Sequence, residues 1–295
     1  MKKYLPQATG FIYLLLFVFC VSTIPVTVKI GLRQQADPLE LIYLRLVIAV
    51  VILWLYFISF KRDALRLDRA GLIGSVQAAL ASSVSTFAYF FTLSYLDASL
   101  TLVVYVTTVI PATMLLLILR GDYPSRLDLF RLVIALIGIY LFIELVGSIS
   151  PTGLLLAVVA PFFYAVYITI IQVKLSDYDS QTVTLYVISF MTIVFTIAYF
   201  AAGYRWPQFD AVAWAAVLWL GITATAIARM LFFAGVKLAG SRQAALIMPL
   251  NTLLGVLWAV LLLGELLTLQ QWIGTIFVIT SAALGAKAKS NREDK

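Results

Sequence analysis

The chain contains no histidine and a single cysteine, Cys20. The first absence excludes imidazole acid-base chemistry and Ser-His triads, and the two together exclude His/Cys metal sites and any disulfide within the chain. No glycine is followed by lysine, so the phosphate-gripping loop that ends in that dipeptide is missing and ATP hydrolysis is not expected. Charge is scarce as well: 12% of the 295 residues are Asp, Glu, Lys or Arg, against about a quarter in an ordinary soluble domain. No catalytic residue, metal or cofactor is assigned, and the chain is read as something other than an enzyme.

What the chain has in excess is hydrocarbon, with 63% hydrophobic residues and a mean hydropathy of +1.02. A water-facing surface cannot be built from that mixture, because even a large soluble domain keeps a polar exterior. Lipid is therefore the expected solvent. Backbone groups in lipid must be satisfied internally, which leaves helices or closed barrels. The apolar runs here reach the roughly 20 residues that a helix needs to cross a bilayer. Ten spans are expected, near 9–31, 39–60, 70–93, 99–119, 127–147, 152–173, 181–203, 211–234, 243–263 and 267–286. The first is read as a retained span, since it is too long for a leader and lacks a small-x-small cleavage site.

The formal charge of +7 would raise nucleic acid in a soluble protein, but here the basic residues sit in short loops and read as topology signals. With both termini cytoplasmic, sixteen basic residues face the cytoplasm, Lys61, Arg69, Arg126, Lys174, Lys237 and Arg242 among them, and only Arg33 and Arg205 stand in loops on the other side. The expectation is a multi-pass inner-membrane protein whose partners are a small-molecule substrate and membrane lipid, not nucleic acid. Nothing in the sequence requires more than a monomer.

Residues 153–286 can be laid over 10–146 at an offset of about 140 to 143. Gly153 then answers Gly10, Phe232-Phe233 before Gly240-Ser241 answers Phe90-Phe91 before Ala98-Ser99, and Leu267 and Leu269 answer Leu127 and Leu129. Five spans per half force the second half to enter the membrane from the opposite face. The chain thus reads as an all-α integral membrane protein of two inverted five-helix repeats, residues 1–147 and 148–295. Secondary transporters are often built this way, because inverted halves can open a shared midplane site to either side.

Gly240-Ser241-Arg242-Gln243-Ala244-Ala245-Leu246, then Pro249, Leu262-Leu263-Gly264-Glu265 and Gln271-Trp272-Ile273-Gly274 resemble the EamA domain of the drug/metabolite transporter superfamily. The first half resembles it through Pro38, Arg45, Ala98-Ser99 and Pro111, with Pro124-Ser125 standing where the second half has Gly264-Glu265. The resemblance implies a ten-helix exporter of amino acids and other metabolites, with a central cavity lined chiefly by spans 1, 3, 4, 6, 8 and 9. It makes Arg45 a packing or gating residue, and Pro25, Pro111 and Pro249 are marked as helix-bend or gating positions.

Ionisable residues within spans are functional candidates because burying them is costly. Lys29 is close enough to a span end to snorkel. Arg229 could clamp a carboxylate or phosphate with its fork, or snorkel to the cytoplasmic headgroups. Uncharged candidates are Gln77, Tyr105, Thr108, Gln172 and Asn251, with Tyr89, Tyr164, Tyr167 and Trp258 as aromatic walls that serve equally as packing. No carboxylate is expected at mid-depth, so facilitated efflux or exchange is favoured over a proton relay. An uptake permease or antiporter for an anionic or nucleotide-like metabolite is the second reading. A non-transporting sensor or membrane enzyme is the third.

Overall fold

The computed structural model describes residues 4–119, 121, 123–143 and 150–293. Among these residues there are helices and no strands. They are α1 (Tyr4–Ser22), α2 (Ile24–Arg33), α3 (Pro38–Phe60), α4 (Arg69–Tyr95), α5 (Ala98–Leu119), α6 (Arg126–Ile143), α7 (Pro151–Lys174), α8 (Ser180–Ala201), α9 (Ala211–Leu218), α10 (Ala228–Ala239), α11 (Ser241–Ile247), α12 (Pro249–Leu263) and α13 (Leu269–Glu293). A π-helical stretch, Trp219–Ile227, joins α9 to α10.

Eight helical segments among the described residues are long and apolar enough to cross a membrane. Three of them are compound: α1 with α2, α9 with the π stretch and α10, and α11 with α12. Two further expected spans correspond to α6, whose start carries Arg126, Asp128 and Arg131, and to α13, which is apolar over Leu269–Gly285 among the residues with described side chains. α6 and α13 pack against each other. Residues 144–147, the expected end of the fifth span, lie outside the described residues.

Short polar residues start the helices. Asp37, Asp68, Asp179 and Asp210 accept hydrogen bonds from the amides of Leu39, Gly71, Thr182 and Ala213 at the first turns of α3, α4, α8 and α9. Each such cap contributes about 1 kcal/mol. Two further helices open with reciprocal boxes: the amide of Ser125 donates to Asp128 Oδ2 and that of Asp128 to Ser125 Oγ before α6, and the same exchange joins Thr268 and Gln271 before α13.

These caps fix a register between the halves. Asp37 and Asp179 are 142 residues apart, as are Asp68 and Asp210, and the two boxes are 143 apart. The pairing of Leu127 and Leu129 with Leu267 and Leu269, at 140, departs from this spacing. Ser125 stands opposite Thr268, not Glu265, and the glycine with positive φ that matches Gly264 (φ 72°) is Gly121 (φ 85°). In sequence the partner of Glu265 in this register is Asp122, which lies outside the described residues. Likewise Asn251 pairs with Thr108 rather than Pro111.

Packing repeats in the same register. α1 packs along α10, and α4 along α7. A methyl group on Gly10 would come within 2.6 Å of the Ala239 amide nitrogen and 2.7 Å of Leu238 Cβ, so only glycine admits this crossing. A methyl on Gly153 would come within 2.7 Å of Tyr95 Cβ and 3.1 Å of Leu96. Gly10 meets residues 238 and 239, Gly153 meets 95 and 96, and each residue is 143 from its counterpart. Where α6 crosses α13 the backbones touch through Gly138 and Gly274, a small-residue contact of the kind that holds helices together in lipid.

The proline expectations divide. Span 1 breaks at Thr23, two residues before Pro25, and the ninth segment breaks at Met248, just before Pro249. Pro111, by contrast, stands inside the uninterrupted α5.

Candidate functional site

Arg45 lies midway along α3 and is 9% exposed. Its guanidinium stacks on Phe90 of α4, 4.5 Å from the ring centroid, and its Nε is buried without a hydrogen-bond partner. A cation held on an aromatic face gains on the order of 1–2 kcal/mol, far less than a buried charge loses in leaving water. The arrangement therefore leaves part of the guanidinium's bonding capacity open.

A run of tyrosine rings begins beside it. Tyr89 meets Tyr105 at 5.2 Å between centroids, Tyr105 meets Tyr164 at 5.9 Å, and Tyr164 meets Tyr167 at 5.9 Å. The run joins α4, α5 and α7, and Ser85 Oγ donates to the Ala160 carbonyl at 2.7 Å to tie α4 to α7 alongside it. Tyr164 sits deep in the molecule yet keeps 38% of its surface accessible, so its ring borders open space. Arg229, on the first turn of α10, is within electrostatic reach of both Arg45 and Tyr164.

The π stretch supplies the fourth side. Thr225 Oγ1 donates to the Leu220 carbonyl five residues back, and Gly221 lets the stretch close on Ile48 and the Arg45 carbonyl of α3. Wide turns of this kind occur often at functional positions. From the same stretch Trp219 Nε1 donates to Thr23 Oγ1 at 2.8 Å, and from α12 Trp258 Nε1 donates to Ser22 Oγ at 3.0 Å. Two indoles thus hold the break in span 1. Sequence reasoning missed Ser22, Thr23 and Trp219; the visible sign was two hydroxyls followed by Pro25, which cannot continue the backbone ladder.

The expected site residues are distributed accordingly. Arg45, Tyr89, Tyr105, Tyr164, Tyr167 and Arg229 come together. Gln77 does not join them: its Oε1 accepts from Lys174 Nζ at 2.7 Å, near the far ends of α4 and α7. Gln172 is exposed in the last turn of α7. Thr108 gives its hydroxyl to the Val104 carbonyl of its own helix at 2.7 Å. Asn251 keeps a buried Oδ1 with no partner on the first turn of α12.

Two cavities lie at opposite ends of the bundle. At the end that carries Lys61, Arg69, Lys174 and Arg242, here called the basic end, a cavity of about 230 Å³ opens between α3, α8 and α10, with Lys61, Arg229 and Lys237 in its wall. At the other end a cavity of about 370 Å³ is lined by Lys29, Arg33, Asp97 and Glu265, two cations against two carboxylates. Glu265 also closes the start of α5: Oε1 accepts from the Ala98 amide at 2.8 Å, and Oε2 from the Ser99 amide at 3.1 Å and from the Ser99 hydroxyl. Arg33 donates to the Leu263 carbonyl at 3.1 Å.

Outside the membrane-length segments, Asp68 and Tyr178 shift each other from their ordinary ranges. Asp68 accepts from the Gly71 amide and from Tyr178 Oη at 2.7 Å. These bonds hold its carboxyl below, and the phenol above, their usual values.

The model of the EamA-like transporter family matches the chain twice, over residues 8–143 and 151–285. The chain belongs to that family. EamA-like relatives include an uncharacterized transporter of Clostridium kluyveri, 21% identical over 97% of this chain and 95% of its own length. Another is the uncharacterized inner membrane transporter YicL of Salmonella typhimurium, 25% identical over 56% of each chain. A solved crystal structure matches with a TM-score of 0.66 at 17% identity, covering 97% of this chain and 98% of the other. At that identity the likeness shows the fold alone. The chain is a multi-pass membrane protein, and membership of this family makes it a transporter rather than an enzyme.

Proposed function

We propose that the chain exports small metabolites, such as amino acids, across the cytoplasmic membrane by alternating access. In this reading it has ten spans in two inverted repeats, residues 1–147 and 148–295, with both termini cytoplasmic. The observation that carries it is the exchange of contacts described above: Gly10 against residues 238 and 239, Gly153 against 95 and 96. Two halves that grip each other through the same contacts can rock in either direction at similar cost. The double family match and the caps repeated 142 to 143 residues apart support the same reading. The excess of basic loops at one end supports the orientation.

The substrate site of this proposal is the space bordered by Arg45, Tyr89, Tyr105, Tyr164, Tyr167 and Arg229, with Asn251 and Trp258 on the opposing helix. Arginine forks suit a carboxylate and tyrosine faces suit the apolar remainder. Efflux or exchange down a gradient is proposed because no carboxylate among the described residues joins this cluster. The competing direction, uptake or antiport of an anionic metabolite, is favoured by one observation: among the described residues lining the cavity that Arg229 shares with Lys61 and Lys237 there is no carboxylate.

The test is flux of labelled amino acids and anionic metabolites in proteoliposomes loaded on either side, with Arg229→Ala and Tyr164→Ala beside the parent. Counterflow of a carboxylated compound that both variants lose by about tenfold or more is expected. No flux of any compound, or flux unchanged in both variants, overturns the assignment of the site.

A further inference from the structure

The cavity at the basic end has a composition that the transport reading does not require. Arg229, Phe233 and Lys237 recur every fourth residue and form one stripe of α10. Lys61 faces them from just beyond α3 and donates to Gln181 Oε1 at the start of α8. Leu53, Phe57 and Met230 make the apolar side of the same space, and among the described residues that line it none is a carboxylate. Three cations around one cavity repel one another, and among the described residues of its wall the one side-chain acceptor paired with them is the neutral Gln181 Oε1, on Lys61.

We propose that this cavity binds a phosphate group. Three cationic groups arriving from α3 and from two levels of α10 match a tetrahedral oxyanion with several free oxygens better than a carboxylate, which has two oxygens and one charge. At about 230 Å³ the cavity is smaller than the roughly 300–1,000 Å³ typical of drug-sized ligands. A phosphate group fits within it. The group comes either from an anionic phospholipid, whose glycerol and acyl carbons would lie along Leu53, Phe57 and Met230, or from free phosphate. Basic pockets between helices are the usual seat of anionic headgroups. The site is separate from the proposed substrate cluster in two of its three cations, Lys61 and Lys237.

The test is binding, which does not depend on transport. The purified full-length protein is titrated with phosphatidylglycerol, phosphatidylcholine and inorganic phosphate, and binding is read by thermal unfolding and native mass spectrometry. The expected result is binding of phosphatidylglycerol or of inorganic phosphate that weakens about tenfold in Lys61→Gln/Lys237→Gln and returns in Lys61→Arg/Lys237→Arg. Binding of phosphatidylglycerol alone, at least about tenfold tighter than phosphatidylcholine, identifies a lipid; binding of inorganic phosphate with the same dependence identifies a soluble source. Lys237 is exposed, so Lys237→Gln alone serves as a variant that keeps the fold. Failure of both anions to bind the parent, or equal binding by parent and glutamine variants, overturns the proposal.

Discussion

The two ends of the bundle are built from the same scaffold and furnished with different chemistry. At one end the charges around the cavity balance, Lys29 and Arg33 against Asp97 and Glu265, and Glu265 is spent on the first amides of α5. At the basic end Lys61, Arg229 and Lys237 stand without a carboxylate among the described residues of the cavity wall. The crossings beneath are alike, since Gly10 and Gly153 meet partners 143 residues apart. Residues that decide how closely two backbones approach are held to the register. Residues that decide what a cavity attracts are not.

The largest effect expected from breaking this comparison is at the crossings. Gly10→Leu forces a side chain into the Ala239 backbone and Gly153→Leu forces one into Tyr95 Cβ and Leu96, and each should cost about 3 kcal/mol or prevent assembly. Thermal unfolding in detergent checks this, and a chain that tolerates one and not the other would break the equivalence of the two crossings. Next comes the closure of α5. Glu265→Ala strips the acceptor from two amides and a hydroxyl and should cost about 2 kcal/mol. It should also raise thiol labelling of a Ser94→Cys reporter, which lies in the same cavity. Equal labelling with and without Glu265 would show that the carboxylate does not hold that end shut. The same experiment with Asp122→Ala asks whether the register extends to the acid opposite Glu265 in sequence.

Smaller effects sharpen the comparison. Ser125→Ala and Thr268→Ala each remove one half of a capping box and should lose about 1 kcal/mol apiece, by the same melting measurement. The smallest effect is the pH dependence of the Asp68–Tyr178 pair. The carboxyl is held below its usual range, so its contribution is present above the unfolded value and disappears as pH falls through the folded one. The phenol is held above its usual value, so its contribution is present at neutral pH and disappears as pH rises through the folded one. Asp68→Asn should remove the acid-side slope of stability and Tyr178→Phe the alkaline one. A slope unchanged in either variant assigns it to other groups.

Much of this fold was legible in the sequence because hydrophobic run length and loop charge are local properties. The helix bounds fall within a few residues of the expected spans, and the caps are visible as Asp, Ser or Thr before apolar runs. The fifth span was the less plain one in physical terms, since α6 carries three charges in its first two turns. The three-residue departure of the leucine pairing arose because Leu is too common to mark a register, whereas a capping box has a fixed geometry. In the site, the tyrosines and both arginines were readable as large or ionisable groups inside spans. Their company was not, because Trp219 meets Thr23 and Trp258 meets Ser22 across most of the chain. Thr108, Gln77 and Gln172 looked like ligand groups by residue type. A hydroxyl in a helix has a carbonyl four residues back within reach, a long amide near a helix end finds a neighbouring lysine, and Gln172 has its place in the exposed last turn of α7.

Glu265 carries a consequence for the order in which the protein is made. The amides of Ala98 and Ser99 are completed by a carboxylate synthesised 166 to 167 residues later, and α1 and α4 find their main partners in α10 and α7. While the ribosome is still at the middle of the chain, the first five helices stand in the bilayer with their inner faces unsatisfied and the start of α5 uncapped. The nascent first half must therefore wait in lipid for its complement, and a chain truncated after α6 has no finished structure to fall back on.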